Sequence, residues 1–279
     1  MTGTAALEAW YREAAVHLHR GHRIVYRRAG QGESLMLLHG FPSASWDYHK
    51  LWPQLAARFD VIAPDMIGFG RSDKPKPYRY SLFDQADLME GLLAALGIRR
   101  VHLLAHDYGD TVAQELLARA GEGKLQFDIA STVLMNGGLF YDRIRFAPMQ
   151  RLMRSPMGRL LQHLMGPRRF KASFIRIFGP RTQPSEAELE AFWELIAHHR
   201  GRRVIHALSR YLDERQRHQQ RWTEALARAS MPPALIYGPA DPISGEPIAA
   251  RFREVVPDAE ILRLEEIGHY PHIEAPQAV

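Results

Sequence analysis

Asp107, Asp241 and His269 carry side chains suited to covalent catalysis, and each stands shortly after an apolar run of the chain. Such runs, bounded by Gly, Pro and polar residues, are typical of buried strands. The carboxyl ends of parallel strands meet at one edge of a sheet, where ligands bind. The chain order of nucleophile, acid and histidine also accompanies a nucleophile on a tight strand-to-helix turn. We therefore predict that the three residues form a catalytic triad.

The expected nucleophile is an aspartate, at the position where a serine is usual in this arrangement. Asp107 lies in the turn 105–109, between the apolar run 101–104 and the helical pattern of 111–117. A carboxylate is already ionised at neutral pH and needs no base. Its attack on an ester would give a reactive anhydride, whereas its attack on a saturated carbon gives an ordinary alkyl ester. We therefore predict that the substrate is an epoxide or an alkyl halide.

The other two members of the predicted triad would complete the second half of the reaction. His269 would activate a water molecule that hydrolyses the ester on Asp107, and Asp241 would orient and stabilise the imidazolium. The tetrahedral oxyanion of that step needs backbone N–H donors. The sequence HGFP at 39–42 directly follows a predicted strand, so we assign the donors to Phe41 and to Tyr108, the residue after the nucleophile.

The elements predicted around these residues alternate between strands and helices, which is typical of an α/β fold with a mostly parallel sheet flanked by helices. A leading hairpin and six later runs give eight predicted strands. They lie at 15–19, 24–27, 35–38, 61–63, 101–104, 129–135, 233–237 and 260–264. One helix is predicted over 81–96 with Ser81 as its N-cap, and another begins at a capping box at Ser185.

The alternation stops between residues 139 and 222, where every pattern is helical. We therefore divide the chain into a first core part, 1–138, an inserted all-helical cap, 139–222, and a second core part, 223–279. The cap is basic, since residues 140–222 contain 16 Arg and one Lys against seven Asp and Glu. This charge indicates either a solvated helical face or a weak contact with an anionic surface. The pattern contains no nucleic-acid-binding module.

Composition limits the remaining possibilities. With 279 residues, of which 46% are hydrophobic and 24% charged, the chain is an ordinary globular protein. The absence of cysteine excludes disulfides, thiolate catalysis and cysteine-based zinc sites. No apolar run approaches the roughly 20 residues that cross a bilayer, and the start has no signal-peptide pattern, so we expect a cytoplasmic protein. We expect no metal or cofactor, and we expect a closing C-terminal helix to be missing or exchanged between chains.

Several motifs match one known group of proteins over nearly the whole chain. They are HGFP at 39–42, GFGRSDKP at 68–75, HDYGD at 106–110, QELL at 114–117, NGG at 136–138, FGP at 178–180, YGPADP at 237–242 and HYP at 269–271. With these motifs the chain resembles the α/β-hydrolase superfamily, in the branch of epoxide hydrolases and haloalkane dehalogenases. Within that branch it most resembles the mesoderm-specific transcript homolog family. The resemblance implies the fold and the triad, and a small apolar substrate.

The resemblance to epoxide hydrolases also implies which residues would bind the substrate. In those enzymes two cap tyrosines donate hydrogen bonds to the oxygen of the opening ring. Tyr211 lies where the second tyrosine is expected, whereas Phe174, which cannot donate, lies near the position of the first. The alternative role of Tyr211 is to pack the cap against the sheet. His106, beside the nucleophile in the HDYGD motif, is also expected to contact the substrate.

The resemblance to haloalkane dehalogenases is weaker at the halide site. Those enzymes hold the leaving halide with N–H donors of Trp or Asn, but this chain has Tyr108 and Phe41 at the corresponding positions. Trp46 or Trp193 would have to replace them. We therefore favour epoxide hydrolysis and keep dehalogenation as the alternative. Because both donor sets are incomplete, a weakly catalytic or non-catalytic protein that binds a lipid or a partner is a third hypothesis.

Overall fold

Eight strands form one sheet in the computed structural model, which describes residues 3–146, 157–158, 162 and 166–279. Their spatial order is β1-β2-β4-β3-β5-β6-β7-β8, with β1, β2 and β4 paired antiparallel and every later pair parallel. The strands are β1 (Ala15–His19), β2 (His22–Ala29), β3 (Ser34–Leu38), β4 (Asp60–Pro64), β5 (Arg100–His106), β6 (Asp128–Met135), β7 (Ala234–Tyr237) and β8 (Ile261–Arg263). The predicted α/β class and mostly parallel eight-stranded sheet are confirmed.

Helices flank this sheet and connect its strands. The α-helices of the described residues are α1 (Gly3–Tyr11), α2 (Trp52–Ala56), α3 (Leu82–Ala95), α4 (Tyr108–Gly121), α5 (Pro167–Phe174), α6 (Glu186–Ala197), α7 (Ile205–Leu208), α8 (Tyr211–Ala227), α9 (Glu246–Val255) and α10 (Pro271–Glu274). Both predicted caps are confirmed. The Ser81 side chain accepts the Phe83 N–H, and Ser185 forms a reciprocal capping box with Glu188.

The central strands β3, β4 and β5 are buried on both faces, as their continuous apolar runs predict. In β3, Met36 and Leu38 belong to one core cluster, whereas Leu35 and Leu37 belong to the other. This alternation follows from the two-residue period of a strand. The sheet is therefore a rigid layer between two cores, and its strand ends have fixed positions. No helix of the described residues is long and apolar enough to cross a membrane.

The segment between β6 and β7 contains helices and, within its described part, no strand. This agrees with the helical pattern predicted for 139–222. The last helix of the segment, α8, continues to Ala227 and so crosses the predicted boundary at Trp222. Trp222 is buried and its indole N–H donates to Glu115 of α4 at 2.9 Å. The second half of α8 therefore belongs to the packing around α4 and the sheet.

Candidate active site

Asp107 occupies a strained turn between β5 and α4. Its backbone has φ 46° and ψ −99°, a region that costs energy for a residue with a side chain. The turn fits only because glycine lies beside it, since a Cβ on Gly109 would lie 2.2 Å from the Leu38 carbonyl oxygen. The Asp107 side chain is 6% exposed. The predicted strand, tight turn and helix are thus present at this residue.

His269 and Asp241 are joined by a short hydrogen bond between His269 Nδ1 and Asp241 Oδ2, at 2.8 Å. The loops after β8 and β7 bring them together, and both side chains are buried. Burial alone would raise the pKa of Asp241, but the facing His269 and several hydrogen bonds lower it. Burial would likewise lower the pKa of His269, but the Asp241 carboxylate and then Asp107 raise it to about 9. The pair is therefore an ionised carboxylate holding a basic imidazole.

Two further residues, absent from the predicted site, hold Asp241 in place. Asn136 donates from Nδ2 to Asp241 Oδ2 at 2.8 Å, and the Ser244 hydroxyl donates to the same oxygen at 2.6 Å. Asn136 itself has a positive φ of 41° at the exit of β6. These bonds fix the carboxylate and stabilise its charge. Asn136 lies in the NGG motif, which was the available signal for it.

The predicted oxyanion donor of the HGFP loop points at the nucleophile. The Phe41 N–H donates to Asp107 Oδ2 at 3.1 Å. Within the described residues, the Tyr108 N–H makes no hydrogen bond to the Asp107 carboxylate. Tyr108 is the first residue of α4, so its N–H has no partner within the helix. One carboxylate oxygen of Asp107 is therefore already held by a backbone donor, and the role of Tyr108 stays a prediction.

Arg215 is the main residue beside Asp107 that sequence reasoning missed. It lies on α8, is 4% exposed, and its Nη2 donates to the Asp107 carbonyl at 2.7 Å. The same Nη2 lies 3.5 Å from Asp107 Oδ1, while Nε donates to Thr111 Oγ1 at 2.8 Å. A charged side chain this deeply buried needs a specific partner. Here that partner is the nucleophile and its turn.

Tyr211 lies one helical turn before Arg215, on the same face of α8. The Arg215 guanidinium carbon is 4.6 Å from the centre of the Tyr211 ring. The ring centre of Tyr211 also lies 5.0 Å from that of Tyr108 and 5.6 Å from that of Phe41. The predicted cap tyrosine is therefore in contact with both predicted oxyanion residues.

Phe174 and Trp46 belong to a different core cluster from Tyr211. The Phe174 ring packs against Tyr270, next to His269, with ring centres 5.3 Å apart. The Trp46 ring stacks on His49 at 3.9 Å and is 2% exposed. Both positions are consistent with packing, and contact with a substrate stays a prediction for each.

His106 lies below the site, at the end of β5. Its ring is fully buried, and its Nε2 bonds to the His269 carbonyl at 2.8 Å. Burial, then the facing His269, lower the pKa of His106 to about 3, so the ring is neutral. With Asp47 and His272 it forms a buried cluster that has the donor types for a metal ion. A substrate contact for His106 stays a prediction.

A family model for the alpha/beta hydrolase fold matches residues 33–276 of this chain. The mesoderm-specific transcript protein of Mus musculus is 40% identical over 283 aligned positions, which cover 97% of this chain and 84% of the mouse protein. LipZ of Mycobacterium tuberculosis, whose name describes a hydrolase, is 41% identical over 256 positions, covering 91% of this chain and 88% of LipZ. The resemblance predicted from the motifs is confirmed.

Solved structures also superpose on the chain. An alpha/beta hydrolase fold protein from Burkholderia ambifaria has a TM-score of 0.80 and 23% identity, covering 95% of both chains. A loop variant of the haloalkane dehalogenase DbeA from Bradyrhizobium elkanii has a TM-score of 0.79 and 25% identity, covering 95% of this chain and 93% of the dehalogenase. The first of these likenesses supports the fold alone.

Proposed function

Because the chain belongs to the alpha/beta hydrolase fold family, we propose that it is a hydrolase that opens epoxides through a covalent ester on Asp107. The observation that carries the proposal is the geometry of the nucleophile. Asp107 stands on a strained turn with Oδ2 held by the Phe41 N–H at 3.1 Å. The other oxygen, Oδ1, is then the one that attacks. A serine there would favour esters, but a carboxylate favours attack on saturated carbon.

In the first step Asp107 Oδ1 would bond to a ring carbon as the carbon–oxygen bond of the epoxide breaks. The negative charge moves to the epoxide oxygen, which needs a donor. Arg215 and Tyr211 support this step because both lie on the face of α8 turned towards Asp107, with Arg215 Nη2 3.5 Å from Oδ1. A buried guanidinium compensates for the first cap tyrosine, which is replaced by Phe174. The alkoxide takes a proton from solvent and remains as one hydroxyl of the product.

In the second step water would attack the Asp107 ester carbonyl. His269 would take the proton of this water, and Asp241 would stabilise the imidazolium. The oxygen held by Phe41 N–H becomes the oxyanion, which then collapses to release the diol. Ester formation itself prepares the base. It removes the negative charge of Asp107, one of the causes that raise the pKa of His269 to about 9, so the imidazole loses its proton more readily.

Hydrolysis of a carbon–halogen bond is the alternative for the same site. The buried Arg215 guanidinium offers a cationic donor for a leaving halide. A haloalkane dehalogenase is among the superposed structures at 25% identity. Against it, the chain has Tyr108 and Phe41 where dehalogenases have their Trp and Asn donors. The third hypothesis, a binding protein with little catalysis, predicts that ligands bind without any change to Asp107.

Trapping the intermediate tests the proposal. His269→Gln should form the Asp107 ester but fail to hydrolyse it, so intact-protein mass spectrometry should detect one alkyl adduct per chain. The panel should contain small terminal epoxides and the matched bromoalkanes. Adducts from epoxides alone support the proposal, and adducts from bromoalkanes alone favour dehalogenation. The matched control is His269→Gln combined with Asp107→Asn, which should give no adduct. An adduct that persists in this control, or none from either class, overturns the proposal.

A further inference from the structure

Asp47, His106 and His272 meet in a buried cluster next to Asp107, which directly follows His106 in the chain. Asp47 comes from the 3₁₀ turn Ser45–Tyr48, His106 from the end of β5, and His272 from α10. All three side chains have no measurable exposure. One donor atom of each lies within 4.8 Å of the others. No step proposed for the hydrolase uses this cluster.

Each of the three residues has a buried polar atom without a hydrogen-bond partner. These atoms are Asp47 Oδ1, His106 Nδ1, and both ring nitrogens of His272. Leaving one buried polar atom unpaired costs about 1–3 kcal/mol, so a native protein rarely keeps several together. Their concentration at one point indicates an occupant.

The remaining atoms of the cluster are firmly anchored. Asp47 Oδ2 accepts the Ser43 hydroxyl at 2.6 Å and the Gly40 N–H at 3.3 Å. His106 Nε2 lies 2.8 Å from the His269 carbonyl oxygen, and because a carbonyl only accepts, Nε2 carries the proton. Nδ1 of this neutral ring is then an open lone pair. A metal-binding histidine usually donates a hydrogen bond from the ring nitrogen that does not bind the metal, as Nε2 does here.

The chemistry of the unpaired atoms favours a cation over a water molecule. Asp47 Oδ1, His106 Nδ1 and one nitrogen of His272 all present lone pairs. One water has only two protons to donate, so it leaves one of the three acceptors unsatisfied. A divalent ion can bind the lone pairs of all three atoms. We propose that Asp47, His106 and His272 form a closed site for a divalent transition-metal ion, with zinc as the ion of choice.

Two imidazoles and one carboxylate match zinc, whereas magnesium and calcium prefer all-oxygen sites. A water molecule would complete the tetrahedron.

The site would be structural, because all three of its side chains are fully buried. The ion would tie together three separate segments of the chain. His106 directly precedes Asp107, and His272 follows His269 by three residues. The bound ion would therefore fix the nucleophile and base loops relative to each other. This inference does not depend on the identity of the substrate.

Metal binding by the full chain tests the proposal directly. Protein dialysed against EDTA should bind one Zn²⁺ per chain in a calorimetric titration. At a free Zn²⁺ concentration 100 times Kd, the Tm should rise by roughly 5 °C. Co²⁺ added instead should give the strong visible absorption of a four-coordinate ion, which needs no variant to interpret.

Paired variants locate the ion. His272→Gln and Asp47→Asn should each lose the Tm rise and the Co²⁺ absorption. The matched control is His49→Gln, because His49 packs nearby but its Nδ1 bonds to the Trp46 carbonyl at 2.9 Å. This variant should keep both signals. Absence of stoichiometric binding in the unmodified chain overturns the proposal, as does binding that survives His272→Gln and Asp47→Asn.

Discussion

Replacing Asp241 with Asn should separate the two chemical steps. The alkylation step needs no base, because the Asp107 carboxylate attacks directly. The hydrolysis step needs His269 as a base, and His269 bonds to Asp241 Oδ2 at 2.8 Å. Asp241→Asn should therefore leave ester formation close to its original rate and slow ester hydrolysis. The ester should therefore accumulate during turnover of this variant.

The size of the effect follows from the pKa of His269. Its pKa is about 9 against an ordinary value of 6.5, with burial opposing the rise and Asp241 the largest group that causes it. Without the Asp241 charge, the opposing effect of burial should lower the pKa of His269. A 100-fold loss of proton affinity is about 3 kcal/mol of imidazolium stabilisation. If the transition state of hydrolysis loses that amount, the step slows about 10²-fold.

Rapid-quench intact mass spectrometry with a terminal epoxide measures both steps, since it follows ester formation and ester loss in one experiment. The matched control is Ser244→Ala, which removes one hydrogen bond of 2.6 Å to Asp241 Oδ2 but keeps its charge. We expect this control to slow hydrolysis less than Asp241→Asn does, since Asp241 keeps its charge and its hydrogen bonds to His269 and Asn136. The reasoning is refuted if Asp241→Asn slows ester formation as much as hydrolysis, or leaves hydrolysis unchanged.

Three further changes test other parts of the account. Arg215→Met keeps an apolar stem but removes the cation beside Asp107, and it should slow ester formation about 10²-fold in single-turnover assays; an unchanged rate would exclude Arg215 from the leaving-group site. The raised pKa of His269 stabilises the fold fully below pH 6.5, and this contribution is lost as the pH rises through about 9. Between pH 6 and pH 10, urea unfolding of the unmodified chain should therefore lose about 3 kcal/mol more than that of His269→Gln, and equal losses would contradict the linkage. Ser185→Ala should lower the free energy of unfolding by about 1 kcal/mol because it removes the cap of α6; no change in urea unfolding would show that the capping box contributes nothing.

The positions of the three triad candidates were predictable because they follow strands that the sequence marks clearly. Asp107, Asp241 and His269 come after apolar runs, which are typical of strands in a parallel sheet. Phe41 was predictable for the same reason, since HGFP follows β3. The sequence pattern therefore predicted which loops lie along one edge of the sheet.

Arg215 was not predicted because a charged residue on a helix in the basic segment 140–222 is usually solvated. Its burial depends on how α8 docks against α4, which is a long-range contact without a local signal. One signal did exist: Arg215 lies four residues after Tyr211 and so shares its helix face. If Tyr211 points to the site, Arg215 must lie beside it.

The cluster of Asp47, His106 and His272 was missed for a related reason. Its three members are far apart in sequence, and two of them belong to short elements, the 3₁₀ turn Ser45–Tyr48 and α10. Spacing rules for metal ligands act within one loop or helix and detect no such set. The continuation of α8 beyond Trp222 to Ala227 was also missed. Trp222 packs against α4, and this long-range contact has no signal in the local helical pattern.

The covalent role of Asp107 is tested most directly by one turnover in ¹⁸O-labelled water. The enzyme is in excess over a terminal epoxide. One oxygen of the diol then derives from the epoxide and the other from Asp107 Oδ1, and the water oxygen enters the Asp107 carboxylate. Mass spectrometry of the peptide that contains Asp107 should therefore show one ¹⁸O, and the diol of the first turnover should show none. An ¹⁸O-labelled diol together with an unlabelled Asp107 would contradict the account.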